Sequence, residues 1–139
     1  MTSIETIIEK LDLKPHPEGG YYKETYRSVE TCLDGSRNLQ TAIYFLLTSD
    51  NVSHFHRIKS DEIWYYQYGA ACEIIEIDEA GNERIIRLGS DIANGELLQH
   101  VVKAGLWFYS RVQPENEFCL AACHVNPGFD FQDFEIKHS

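Results

Sequence analysis

The chain has 139 residues, with 12 Lys and Arg against 22 Asp and Glu and a formal net charge of −10. That balance excludes binding along a nucleic-acid backbone, which rests on clustered Lys and Arg, but leaves room for a small phosphorylated ligand held by one or two placed cations. No apolar run approaches the roughly 20 residues of a membrane-spanning helix. Glu5 and Glu9 interrupt the apolar residues that a signal peptide would need. The four cysteines form no zinc-type Cys-x-x-Cys pair and read as reduced thiols. The expectation is one cytoplasmic domain, residues 1–139, with neither nucleic acid nor membrane as partner.

Along the chain, Thr2 and Glu5 form a candidate capping box. Ile4, Ile7, Ile8 and Leu11 recur at helical spacing, and Pro15 and Pro17 end the helix. After the Gly19-Gly20 turn the pattern changes to short apolar runs. These predict strands over Tyr21–Arg27, Thr41–Thr48, Ser53–Ile58, Glu62–Tyr68, Cys72–Ile77, Arg84–Leu88, Leu98–Val102, Trp107–Arg111, Phe118–His124 and Phe129–Phe134. Turn residues such as Asp34-Gly35, Ala80-Gly81-Asn82 and Asn126-Pro127-Gly128 separate them. Many short strands without long intervening helices mean an all-β sandwich or barrel.

The densest chemistry lies in His54-Phe55-His56-Arg57, followed by Asp61-Glu62 and by Gly69. Two histidines one residue apart share a strand face, and imidazole is both a common metal ligand and the usual general base. This stretch is similar to the first signature of the cupin superfamily. It is joined by Pro15-His16-Pro17-Glu18-Gly19-Gly20, Glu24-Thr25-Tyr26-Arg27-Ser28, Thr41-Ala42-Ile43-Tyr44-Phe45-Leu46-Leu47 and Trp64. Gln99, Val101-Val102, Ala104-Gly105, Trp107-Phe108, Cys123, Val125, Pro127-Gly128-Phe129-Asp130-Phe131 and Asp133-Phe134-Glu135 follow. From about Leu13 to Ile136 the chain resembles the Cupin-5 (DUF985) family of predicted sugar epimerase-like proteins. The resemblance implies an all-β cupin double-stranded β-helix, or jelly roll, with a short N-terminal helix, in a homodimer. It also implies kinship with enzymes that epimerise nucleotide-linked keto-sugars, and it puts weight on His56 and Arg57 rather than His54. Where the second cupin signature has a proline, a glycine and a histidine, this chain has Lys103, Gly105 and Phe108.

Three functions are compatible with these residues. The first is a metal-independent epimerase or isomerase acting on a sugar or nucleotide-sugar. His56 is its base, Glu62 or Asp61 orients the imidazole, and a tyrosine is the acid (Tyr44, Tyr66 or Tyr109, with Tyr66 placed first). Tyr44, Arg57, Trp64, Gln99 and Lys103 bind ligand, Trp64 by stacking and Arg57 as a phosphate anchor. The second is a non-catalytic nucleotide or small-ligand binding module. The third is a metal-dependent oxygenase or isomerase using His54, His56 and Glu62, with His124 as a substitute ligand. No cofactor is expected in the first two, and a divalent metal in the third. Tyr22, Glu24 and Tyr26 share a strand face that completes the pocket, whereas His100 points outward.

Overall fold

In the computed structural model, which describes residues 2–51, 54–115 and 117–136, one short helix precedes two antiparallel sheets. Helix α1 spans Ile4–Lys10, and its cap is Ser3, whose hydroxyl accepts from the Thr6 N–H at 3.2 Å. This corrects the Thr2–Glu5 capping box: the Thr2 N–H donates instead to the Tyr68 hydroxyl. The apolar stripe of α1 buries Ile7 against Leu13, Leu46, Phe118 and Leu120, on the outer side of the larger sheet. Among the described residues no helix is long and apolar enough to cross a membrane.

The strands are β1 (Lys14–Pro15), β2 (Tyr21–Arg27), β3 (Thr41–Thr48), β4 (His56–Arg57), β5 (Asp61–Gly69) and β6 (Cys72–Ile77). They continue with β7 (Glu83–Leu88), β8 (Gln99–Val102), β9 (Trp107–Arg111), β10 (Phe118–Asn126) and β11 (Glu135–Ile136). One sheet runs β1-β2-β3-β10-β5-β8 and the other β11-β4-β9-β6-β7. Their inner faces enclose Phe45, Trp64, Ile74, Leu88, Val102 and Phe108. This two-sheet arrangement is the expected all-β jelly roll. All four cysteines are free thiols.

Two β-bulges redirect side chains that simple alternation assigns elsewhere. On β2, Glu24 faces Ile43 and Tyr26 already faces Ala42, so Thr25 is an extra residue. Beyond it the alternation inverts. Arg27 therefore opposes Thr41 on the inner face, and Tyr26 turns outward with half of its surface exposed, correcting its expected pocket position. On β5, Tyr66 faces Ala121 while Tyr68 faces Leu120, so Gln67 is extra. Tyr68 is thereby moved from the face it would share with Glu62 and Trp64 to the helix side, against Phe118.

The predicted strand over Phe129–Phe134 is also corrected. It is a loop with a 3-10 turn at Phe131–Asp133, and strand pairing resumes only at β11. The Asp130 carboxylate accepts from the Gln132 N–H, and Asp133 takes both Nε and Nη2 of Arg37 at 2.8 and 2.6 Å. In a strand Phe134 would face away from Phe129 and Phe131; the turn brings all three rings to one side. Of the predicted strand Ser53–Ile58 only His56–Arg57 pairs, and Ser53 lies outside the described residues.

Candidate active site

The inner faces of β2, β3, β5 and β10 open at one end into a cavity of about 360 Å³. Phe129, Phe131 and Phe134 form a collar on one side, with Tyr22, Phe45 and Trp64 continuing the aromatic wall. Its ionisable groups are His16, Glu18, Glu24, Arg27, His56, Glu62 and Asp130, with Cys123 beside them.

The turn between β1 and β2 supplies two of these groups. Gly19 and Gly20 take φ of 102° and 79°, values open to glycine and strained for other residues. A Cβ at Gly20 would lie 2.8 Å from the Leu46 carbonyl oxygen. The turn is closed by the Gly19 N–H donating to the His16 carbonyl and the His16 N–H to that of Gly20. Glu18 is thus driven into the barrel, where its Oε2 is paired with His56 Nε2 in a very short contact, both side chains being buried. The other imidazole nitrogen, Nδ1, lies 3.1 Å from the His54 carbonyl oxygen. Phe108 packs against the ring with centroids 4.2 Å apart.

Burial opposes charge on both partners, but their mutual attraction outweighs it. Burial works to lower His56, yet the Glu18 carboxylate and its hydrogen bond set its net direction upward. Burial works to raise Glu18, yet the His56 charge and hydrogen bond set its net direction downward. Both shifts favour the imidazolium–carboxylate form of the pair. His16 differs: burial holds its imidazole below the ordinary value, against the pull of Glu18. His16 Nδ1 accepts from the Glu18 N–H at 3.1 Å, so the neutral ring carries its proton on Nε2.

Glu62 is the third centre. Its Oε1 accepts from the Trp64 indole N–H at 2.7 Å. Burial, reinforced by the nearby Glu18 carboxylate, pushes its carboxyl up to about 7. A carboxyl that changes state near neutrality has the proton affinity that acid–base work requires. The bond to the His56 ring expected of Glu62 or Asp61 is made by Glu18 instead. Asp61 instead accepts from the Ala104 N–H, bracing a turn.

Of the residues singled out from sequence, His56, Glu62 and Trp64 meet in the cavity, and so do Tyr22 and Glu24. The others do not. Tyr66 is inside the barrel, but its hydroxyl donates to the Gly69 carbonyl at 2.5 Å and the residue packs in the closed core. Tyr44 points from β3 toward α1. Tyr109 packs edge-on against Phe55. Arg57 follows His56 in the strand and so takes the opposite face, where its guanidinium lies 4.6 Å from the Trp107 ring centroid and pairs with Glu135. Gln99 and Lys103 are exposed. His100 points inward and pairs with buried Glu76 at 2.7 Å, correcting its outward assignment.

His54, His56 and Glu62 do not fit a shared metal. The His54 side chain is exposed, His56 Nε2 is committed to Glu18, and Phe108 rather than a donor covers the imidazole. His124 is engaged with Gln40 at 2.6 Å. Among the described residues no group of three or more His, Cys, Asp or Glu side chains is placed to hold a metal ion.

Sequence reasoning missed Glu18, His16 and Arg27 as site residues. The signal for the first two was a His and a Glu set among two prolines and two glycines, where the backbone has little freedom and side chains are held in place. Arg27 had no signal, since only the Thr25 bulge turns it inward.

The fold and this polar floor define a cupin, and residues 5–137 match the model of the cupin superfamily family DUF985, to which the chain belongs. It is 34% identical over 161 residues to the uncharacterized protein YML079W of Saccharomyces cerevisiae, covering 99% of this chain and 80% of that one. Among solved structures it is similar to protein SO0799 from Shewanella oneidensis, with 43% identity, a TM-score of 0.92 and coverage of 99% and 85%. A hypothetical protein from Leishmania major gives 38% identity and a TM-score of 0.88, covering 96% of this chain and 86% of that one.

Proposed function

We propose that this cupin is an acid–base isomerase or epimerase acting on a small ring compound that bears a carbonyl. The carrying observation is the convergence of Glu62 with the Glu18–His56 pair at the floor of an aromatic-walled cavity. In this reading Glu62, deprotonated, removes a proton next to the carbonyl. The His56 imidazolium, engaged by Glu18 on one nitrogen and by the His54 carbonyl on the other, has no N–H free for the substrate and acts on the negative charge that develops on the oxygen through its field alone. A water at the cavity mouth supplies the proton on the other face, and the hydroxide it leaves takes up the proton held by Glu62, which gives the epimer and resets the carboxylate. His56 therefore serves as the fixed cationic partner, and Glu62 as the group that gains and loses the proton.

The test is incorporation of solvent deuterium, read by proton NMR, into unlabelled keto-sugars incubated with the protein in heavy water. Exchange should occur with the native chain and fall by about 10²–10⁴-fold in Glu62→Gln, the usual worth of a positioned acid–base group. Exchange that survives in Glu62→Gln contradicts the assignment. A non-catalytic binding module is the second reading, favoured by the commitment of both His56 nitrogens within the protein. Saturable binding with no exchange in any variant would select it. The apolar side chains of Leu97, Leu98 and Val101, exposed along the edge at β8, support a homodimer as the working unit, which light scattering would test.

A further inference from the structure

We infer that the cavity selects an uncharged ring, and that a phosphate or carboxylate on the ligand is rejected at its mouth. This deepens the proposed function by naming the ligand class, but it concerns binding alone and does not depend on turnover.

The inference rests on how the positive charges are spent. Among the described residues Arg27 is the single Lys or Arg lining the cavity, and four of its five N–H groups are engaged within the protein. Nη2 and Nε reach the two Glu24 oxygens at 2.7 and 3.2 Å, Nη1 reaches Asn38 Oδ1 at 3.0 Å, and Nη2 also reaches the Phe129 carbonyl at 3.1 Å. The guanidinium thus serves as a brace joining β2 to the aromatic collar. The other cation, His56, is matched by Glu18 on one nitrogen and the His54 carbonyl on the other. With Arg27 set against Glu24, His56 against Glu18, and Asp130 within the field of Arg37, the described lining carries no surplus positive charge. Bringing an anion in would strip its water and set it beside carboxylates whose cationic partners are already engaged, a cost that a neutral ring avoids.

Neither the cation expected from sequence to anchor phosphate nor the other one expected to bind ligand serves the cavity. Arg57 lies on the opposite strand face over Trp107, and Lys103 is exposed. The walls are suited to a ring. Phe129, Phe131, Phe134 and Tyr22 offer apolar faces for stacking. A space of about 360 Å³ is the room of about a dozen waters in the liquid, enough for a monosaccharide or a nucleobase.

The experiment compares matched probes on the full chain by calorimetric titration at neutral pH: glucose with glucose 6-phosphate, uridine with uridine monophosphate, and inorganic phosphate alone. The expected result is that a neutral member binds at least about tenfold more tightly than its phosphorylated partner, about 1.4 kcal/mol, and that inorganic phosphate gives no saturable heat. Glu24→Gln, which frees the Arg27 charge, should gain phosphate binding that a further Arg27→Gln change removes. Tighter binding of a phosphorylated member overturns the inference. So does phosphate binding to the native chain that Arg27→Gln abolishes, or failure of both neutral probes at millimolar concentration. Should Glu24→Gln fold poorly, the native titrations decide alone. The deuterium-exchange test fails or succeeds independently of these.

Discussion

Among the described residues the barrel contains two directly bonded, buried His–Glu pairs, Glu18–His56 and Glu76–His100, and they stand in different surroundings. Both join the two halves of the structure: Glu18 comes from the β1–β2 turn to β4, and Glu76 reaches from β6 to β8. Glu76 and His100 do not line the cavity, whereas Glu18 and His56 form its floor beside Glu62. The same chemical pair is thus enclosed by protein in one place and open to a cavity in the other. Having the pair is not a functional signature. What distinguishes the cavity pair is the third carboxyl, whose affinity for a proton is raised by burial and by the charge of Glu18.

The largest effect expected from breaking this comparison is on stability. His100→Ala leaves Glu76 buried without its partner, and removal of one member of a buried pair costs about 3–5 kcal/mol. Urea denaturation should show that loss, with ligand affinity of the folded fraction unchanged. If His100→Ala instead abolishes ligand binding while leaving stability intact, the division of labour between the two pairs is reversed.

A somewhat smaller effect separates Glu62 from both pairs. Its folded-state carboxyl is raised from 4.5 to about 7, so the folded protein holds this proton more tightly than the unfolded chain does. Its influence therefore favours folding at low pH. Stability should fall as pH climbs from 4.5 to about 7 and then level off, by up to about 3 kcal/mol. The Glu18–His56 pair behaves differently. The lowered Glu18 contributes fully above 4.5 and the raised His56 fully below 6.5, so between those values the pair is fully formed. Glu62→Gln should remove the decline and be more stable than the native chain at pH 8. A steeper decline in the variant would show that another group is responsible.

The smallest effect concerns the collar. Asp133 is held below its ordinary value chiefly by its hydrogen bonds from Arg37, which pins the Phe131 turn. Asp133→Asn should cost about 1.5–2 kcal/mol, at the lower end of the range for hydrogen bonds to charged groups. It should loosen ligand binding without changing the titration of Glu62, as thermal melting and binding heats would show.

Much of the fold was legible in the sequence, because apolar period and turn residues act locally. Five strands, β2, β3, β6, β9 and the start of β10, begin where the pattern places them. The cavity was less legible, because its composition turns on single-residue insertions. Thr25 on β2 and Gln67 on β5 each invert the alternation beyond them, and neither carries a glycine or proline to announce it. One bulge brings Arg27 in and the other sends Tyr68 out. His100 and Gln99 were exchanged by the same parity problem without a bulge. The partnership of His56 was illegible for another reason. Glu18 is 38 positions away by sequence number, and only closure of the barrel brings the two together. The carboxylate nearby in sequence, Glu62, drew the role that the distant one fills.

The central claim is a charge distribution: a protonated His56 against an ionised Glu18, beside a carboxyl that titrates near neutrality. The most direct measurement is an NMR titration of protein carrying 15N-labelled histidine and 13C-labelled glutamate. A His56 ring that keeps protons on both nitrogens to a higher pH than a free imidazole is predicted, together with one glutamate carboxyl titrating near 7 whose signal is missing in Glu62→Gln. A His56 ring that loses its second proton below the ordinary imidazole value, with every glutamate titrating near 4.5, would contradict the account.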